Sequence, residues 1–541
     1  MREGEHVAVS GREWRWVLMA SLFIVALSAA PYLAVWLCTP AEKVYTGMLF
    51  NPYDGHSYLA KMRQGANGEW LFRLPFTPEP QSGTFFYLYY LLLGHIAKWL
   101  GLPLLAVYGL ARLLNGLGLL LVCYRFAAEF IGDVGNRRLA FLIIALSSGV
   151  SWITAAFGLV GTDLQVMDTN TFFSILLNAH LPLAEALMLL IFLTAASPLM
   201  QVQPPGAAEL KMRSGVLPRT LVSGAASLML AIVFPMMVFV VFVVLGVFLA
   251  WRSWVQRRFL WWNWAPAVVA GLVASPLMVY YLALIRGDPI IAAWYAQDVA
   301  WIVTPSVWQT LAGYGFLAPL AVVGAAWCVR RQRGLFLVLW AVLILGLVYG
   351  PPAMQCRLLT GLHVSIALLA ALGLIHVVQP AAGRWRPLVL PAALMLLVPT
   401  TLALVVFHAS VVTRLGWPFF MTRGESAALT WLRHSVPPAE LVLASPKVGL
   451  MIPAWAGQRV VYGHHLETIR AADREKELQL FFAGQGDPNE LVGRYDVRYI
   501  FVGPKERALG GFDVGRLSPE WSLDVAYSNE EVTVYRVVAR R

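Results

Sequence analysis

Charge is scarce in this chain. Asp, Glu, Lys and Arg together make up 13% of 541 residues, against roughly a quarter in an ordinary soluble domain, while 59% of residues are hydrophobic. That balance excludes a soluble globular protein and describes a polytopic membrane protein. Cysteine is rare as well, with four in all, which excludes a disulfide-stapled scaffold. Cys38 and Cys356 are both expected at the outer surface, where a disulfide is conceivable, but isolated thiols at helix ends are the plainer reading. No G-x-x-x-x-G-K-[ST] phosphate loop and no G-x-S-x-G nucleophile elbow is present, which removes two common catalytic designs.

What remains is a succession of apolar runs. The first, roughly 16–37, is long enough for a hydrocarbon core of about 30 Å, lacks a small-residue cleavage site after it, and is expected to stay as a membrane helix. Further spans are expected near 105–125, 139–159, 181–200, 219–234, 235–251, 262–285, 307–329, 335–350, 358–378 and 387–410. The basic residues test this count, because short cytoplasmic loops collect Lys and Arg. Arg125 with Arg137 and Arg138, Lys211 with Arg213 and Arg219, Arg252 with Arg257 and Arg258, Arg330 with Arg331 and Arg333, and Arg384 with Arg386 all fall on one face when about eleven spans are drawn. The net charge of +11 is thereby accounted for by topology, with no nucleic-acid partner implied.

This arrangement places the N-terminus in the cytoplasm and residues 415–541 outside. Residues 84–100 are apolar and aromatic, with His95 and Lys98 near their end. A span there would invert every later basic cluster, so an interfacial or re-entrant helix is expected. Beyond about 414, a helix over 425–434 and strands at 440–444, 459–462, 497–502 and 532–538 describe a small α/β domain. The expected organisation is a membrane domain over 1–414, with a large first outer loop at 39–104, followed by an extracytoplasmic domain over 415–541.

The outer loops carry the candidate chemistry. A loop as long as 39–104 exceeds a connector's needs. Within it, Asp54 precedes good helix formers and reads as an N-cap, with Gly65 and Gly68 ending the helix. A carboxylate at a water-lipid boundary is also placed to take a proton from an attacking hydroxyl. Lys61 and Arg63, on the same helix, are expected to meet lipid headgroups. Arg112 lies early in an apolar span, where an arginine is costly unless paired or facing a polar cavity. Arg357 stands on a short outer loop at a helix entrance. The loop 161–180 holds Asp163, Asp168, Asn170 and His180 without a basic residue. These suit an acceptor site or plain turn and cap chemistry. The run Gly463-His464-His465-Leu466-Glu467-Thr468 suits a zinc site poorly, because adjacent histidines diverge; it reads better as a loop shaping an acceptor pocket.

The run Asp54-Gly55-His56-Ser57-Tyr58, then Gly68-Glu69-Trp70, a proline-bearing stretch and the aromatics of 85–90, resembles the first periplasmic loop of GT-C superfamily glycosyltransferases. It is most similar to the branch holding the protein O-mannosyltransferases and the lipid A aminoarabinose transferase. Arg112-Leu-Leu-Asn115, Pro235 and Arg357 extend the likeness. The resemblance implies inverting transfer of a sugar from a polyprenyl-phosphate donor to a lipid, glycan or protein hydroxyl, on the outer face of a plasma (inner) membrane.

In that reading Asp54 is the general base, Tyr58 matches an aromatic four residues on, and Arg357 or Arg112 meets the phosphate. His56, Asp168 and His180 complete the expected substrate contacts. The position after the aspartate, often acidic in relatives, is Gly55, so a divalent metal is a possible cofactor without a clear site. A transporter or flippase of lipid-linked sugars and a non-catalytic membrane scaffold stand as alternatives, although no repeated halves are visible.

Overall fold

The computed structural model describes residues 9–166, 169–200, 215–350, 356–412, 414, 416–510, 515, 517 and 521–539. The chain is a mostly helical, multi-pass membrane protein. Eight helices among the described residues are long and apolar enough to cross a membrane, among them α1 (Gly11–Leu37), Pro235–Val255 and Trp261–Gly287. Two bent pairs are apolar enough to count as one broken span or one re-entrant loop each: Val307–Tyr314 with Leu317–Arg331 turns through 84°, and Gly383–Leu397 with Pro399–Val406 through 40°. Leu335–Tyr349 is a shorter apolar helix. Eight of the expected spans have a straight or continuous counterpart, those at 307–329 and 387–410 fall on the bent pairs, and the one at 335–350 falls on the short helix. Glycine and proline punctuate both breaks, at Gly315 and Pro399.

Contacts divide the chain into two compact units. The first gathers 1–31, 110–280 and 302–408, and the second gathers 32–109, 281–301 and 409–541.

The first unit is the helical body. Leu221, Leu272, Val342 and Met395 are each exposed, as a lipid-facing surface requires. Arg137, expected in a basic cytoplasmic cluster, is instead buried and donates to Glu13 on α1 at 2.6 Å and to the carbonyls of Ile131 and Gly132. Tyr124 also donates to Glu13, at 3.0 Å. These bonds tie the start of α1 to the turn at 131–137 and to Tyr124.

The second unit joins the first loop to the C-terminal segment. β1 (Lys43–Tyr45) pairs antiparallel with β2 (Phe420–Thr422). α2 (Pro52–Asn67) and α3 (Leu88–Leu100) then cross at glycines: a Cβ on Gly65 would lie 2.0 Å from the Leu91 carbonyl oxygen, and one on Gly94 would lie 2.0 Å from that of Met62. At 13 residues α3 is about 20 Å long, shorter than a hydrocarbon core of about 30 Å. α4 (Leu104–Ala127) leaves this unit as the next span.

The C-terminal segment forms a mixed five-stranded sheet from β3 (Leu441–Leu443), β4 (Arg459–Val460), β5 (Tyr499–Val502), β6 (Trp521–Ser528) and β7 (Thr533–Ala539), in the order β4-β3-β5-β7-β6. Pairing is parallel among β4, β3 and β5 and antiparallel between β5, β7 and β6. Leu443, Leu478, Phe482, Val492 and Ile500 fill its core. Four strands lie where the alternation in the sequence puts them; β6 has no counterpart among the expectations.

The proline-bearing part of loop one is sewn onto this sheet. Val460 N donates to the Pro75 carbonyl at 3.0 Å, Thr468 Oγ1 to that of Phe76 at 2.9 Å, and Arg459 Nη2 to those of Thr77 and Glu79.

Candidate active site

α2 is started by Asn51 rather than by Asp54. Asn51 sits at φ 37°, Pro52 takes the first turn, and the Asn51 side chain accepts from Asp54 N at 3.4 Å. Asp54 is therefore a first-turn residue of α2 and not its N-cap. Gly68, at φ 107°, ends the helix, while Gly65 lies inside it, where the crossing with α3 needs it.

The Asp54 carboxylate lies beside the loop 463–468. Its Oδ2 accepts from Asn51 Nδ2 at 2.5 Å, and its Oδ1 is 3.3 Å from Nε2 of His464. That imidazole nitrogen is buried and has no aligned hydrogen bond, so the contact is electrostatic rather than a hydrogen bond. The Asp54 side chain keeps a third of its surface exposed, against 1% for His464. The rings of His464 and His465 stack at 4.9 Å, and Tyr53 stands edge-on to both and to Trp417. Burial, followed by the adjoining His464, lowers the His465 pKa, although Asp54 and Glu467 oppose this. The result is a carboxylate open on one side and walled by imidazole and aromatic rings on the other.

Two turns along the helix the chemistry is sealed. Lys61 is fully buried, pairs with Glu467 at 2.7 Å, and shares a tight hydrogen-bonded cluster with Ser57. Its ammonium lies 3.9 Å from the Tyr87 ring centroid. Burial by itself would raise the Glu467 pKa, but the charges of Lys61 and His464 and the hydrogen bonds from Lys61 and Ser57 outweigh it and hold the carboxyl below its usual range. Lys61 therefore does not reach lipid headgroups. The spacing showed it on the same helix as Asp54 but could not show the glutamate 406 positions away.

His56 also departs from expectation. It has no exposed surface, and its Nε2 lies 3.3 Å from the carbonyl of Pro418, the residue after the cis Trp417–Pro418 bond. Burial pushes its pKa down to about 4, with the Pro418 contact opposing and His464 adding. This enclosed imidazole packs behind Asp54 rather than opening to solvent. Tyr58 stacks on Tyr90 at 4.4 Å and helps enclose Lys61.

The remaining candidates belong to the first unit. Arg112 is buried, and its Nη1 donates to the carbonyls of Ile175 and Leu176, while Asn115 Nδ2 donates to that of Ala179 at 2.8 Å. The two polar positions of Arg112-Leu-Leu-Asn115 thus hold the end of the helix Thr171–Leu177. His180 begins the next helix, nearly buried and edge-on to Phe234. Asn170 caps Thr171–Leu177 through Phe173 N at 3.2 Å. Asp163 is buried and hydrogen-bonded by Ser151, and burial pushes its carboxyl up to about 6. Arg357 is half-buried in the turn Cys356–Leu359. Asp168 lies outside the described residues, and no disulfide forms among those described.

No protein-family model matches the chain, and no curated protein matches it. Solved structures do. The oligosaccharyltransferase of Archaeoglobus fulgidus, determined with a tethered acceptor peptide, superposes with a TM-score of 0.50 at 15% identity, over 89% of this chain and 69% of its own. ArnT from Cupriavidus metallidurans gives 0.52 at 13% identity, over 96% and 98%. The mycobacterial arabinofuranosyltransferase AftD gives 0.55 at 16% identity, covering all of this chain and 41% of its own. The chain has the GT-C fold.

Within that GT-C fold, Gly55 is explained by packing. A Cβ there would fall 2.3 Å from Met48 Sδ, so an acidic side chain after Asp54 would have to displace Met48. No group of three or more His, Cys, Asp or Glu side chains is arranged to hold a metal among the described residues. Asp54 and His464 supply two donors, fewer than the three protein ligands of a catalytic zinc site. Ser57, Lys61, His464 and Glu467 gain their importance only from the joining of α2 to the loop 463–468. The histidine pair was the one signal in the sequence that pointed there.

Proposed function

We propose that this protein is a membrane glycosyltransferase that moves a sugar from a polyprenyl-phosphate donor to an acceptor hydroxyl on the outer face of the membrane, with inversion. The observation that carries this reading is the Asp54 carboxylate on the first turn of α2, one third exposed and 3.3 Å from the buried His464 imidazole, in a chain of GT-C fold. ArnT and the oligosaccharyltransferase supply the analogy of fold, and the chemistry rests on the site.

Asp54 takes the proton of the acceptor hydroxyl as its oxygen attacks the anomeric carbon. The bond from that carbon to the phosphate oxygen breaks, and polyprenyl phosphate leaves with the electron pair. Asn51 fixes one carboxylate oxygen, and the His464 imidazole stabilises the charge on the other before the proton arrives. The leaving phosphate requires positive charge. Arg357 is proposed for that role from its sequence position.

The test is transfer of radiolabelled sugar from polyprenyl-phosphate donors by the full chain in liposomes, wild type against Asp54→Asn at matched protein level. Loss of about 10²- to 10⁴-fold in the variant is expected for a general base. Wild-type rates in the variant would remove Asp54 from the chemistry. Absence of transfer by the wild type with every donor would return the protein to the transporter or scaffold alternatives.

A further inference from the structure

The second unit contains a cavity of about 570 Å³ bordered by α2, α3, the start of α4 and the helix Arg423–Ser435. Three cations line it: Arg63, Lys98 and Arg433. No Asp or Glu among the described residues does so. Elsewhere in the same unit arginines find carboxylates, as Arg474 does with Glu79 and Glu477. Around this cavity none of the three has a carboxylate partner among the described residues, and the one hydrogen bond from the Arg63 side chain runs from Nε to the Ala454 carbonyl at 3.4 Å. Arg63 is 7% exposed and forms the floor, whereas Lys98 and Arg433 are exposed at the rim. Like charges gathered without counter-charge are unfavourable unless an anion joins them. Burial, then the neighbouring Arg433, lowers the Arg63 pKa to about 10, which agrees with that cost.

The rest of the wall is apolar, including Leu59, Leu105 and Trp455. The candidate membrane span α4 begins here at Leu104, so the cavity adjoins one end of an apolar helix long enough to cross a bilayer. Its residues on α2, at 59, 63 and 66, lie on the opposite side of the helix from 54, 58 and 61, so the cavity and Asp54 occupy different faces. We propose that this cavity binds the phosphate headgroup of an anionic membrane lipid, with Arg63 beneath it, Lys98 and Arg433 around it, and the acyl chains leaving past Leu105 along α4. The site is separate from the proposed transfer chemistry.

The test is native mass spectrometry of the full chain in detergent with short-chain phosphatidylglycerol, short-chain phosphatidylcholine or inorganic phosphate as probe. Wild type should retain phosphatidylglycerol in preference to phosphatidylcholine. Lys98→Gln with Arg433→Gln, both exposed and outside the packed core, should weaken phosphatidylglycerol about tenfold or more, since each basic residue near an anionic headgroup contributes roughly a factor of five. Arg63→Gln should weaken it further, with unfolding temperature followed in parallel because this side chain is buried. Asp54→Asn should bind it as wild type does. Equal binding by the wild type and the double variant would overturn the proposal, as would an equal loss in Asp54→Asn. Binding of inorganic phosphate in place of the lipid would overturn the assignment to a membrane lipid.

Discussion

Two charged groups on one helix meet opposite fates. Asp54 and Lys61 stand two turns apart on α2, and both are answered by the loop 463–468: Asp54 by His464, Lys61 by Glu467. Lys61 is closed off completely and its charge is matched, so it can hold the loop to the helix but cannot meet a substrate. Asp54 is left partly exposed beside an imidazole with no aligned hydrogen bond, so its carboxylate can still accept a proton. A loop anchored rigidly at one point can hold a reactive group accurately at a neighbouring one, which is how a supporting shell serves a catalytic residue.

The contrast is broken most severely at Asp54. Asp54→Asn should lose about 10²- to 10⁴-fold of transfer while its thermal unfolding in detergent stays within about 1 kcal/mol of wild type, as measured by calorimetry. A large stability loss instead would make Asp54 a structural residue like Lys61. The opposite pattern is expected at the sealed pair. Lys61→Met leaves Glu467 buried without its partner and should cost about 3–5 kcal/mol, whereas Lys61→Met combined with Glu467→Leu should recover most of that loss. Unfolding midpoints of the three proteins decide it.

Acidification sharpens the comparison through His56. Its folded pKa, about 4, lies below the ordinary 6.5, so the unfolded chain takes up the proton first. Its contribution to stability is complete above about pH 6.5 and is lost as the pH falls toward 4, by up to about 3 kcal/mol. His56→Phe should flatten the dependence of the unfolding midpoint between pH 7 and 4.5. Glu467 adds an acid-side loss lower down, because its depressed pKa contributes stability above the ordinary carboxyl value that fades as the pH falls below it. The smallest effect is expected at His464. His464→Gln should reduce kcat about tenfold with little change in KM, since it acts on Asp54 rather than on the substrate. A change confined to KM would place it in acceptor binding instead.

Much of the frame was legible in the chain itself. Apolar runs indicated the eight long membrane helices among the described residues, because the bilayer allows few ways to satisfy a backbone. The strands of the C-terminal segment showed in their alternation, as at 441–443 and 499–502. Asp54 stood out as a carboxylate in a long loop beside apolar helices. Its neighbours were harder to read. His56 looked like a polar loop residue and is core, Lys61 looked like a headgroup contact and is half of a sealed pair, and the cap expected at Asp54 belongs to Asn51 three residues earlier.

Sequence by itself determined the membrane helices, the α/β character of the final segment and the carboxylate on loop one, because hydrophobicity, periodicity and local propensity act over a few turns of chain. Tertiary structure alone decided which charges are buried, which face of α2 meets the loop 463–468 and which cations gather around one cavity. Those outcomes depend on residues about 400 positions apart, as in the Lys61–Glu467 pair, and no local pattern encodes such a meeting.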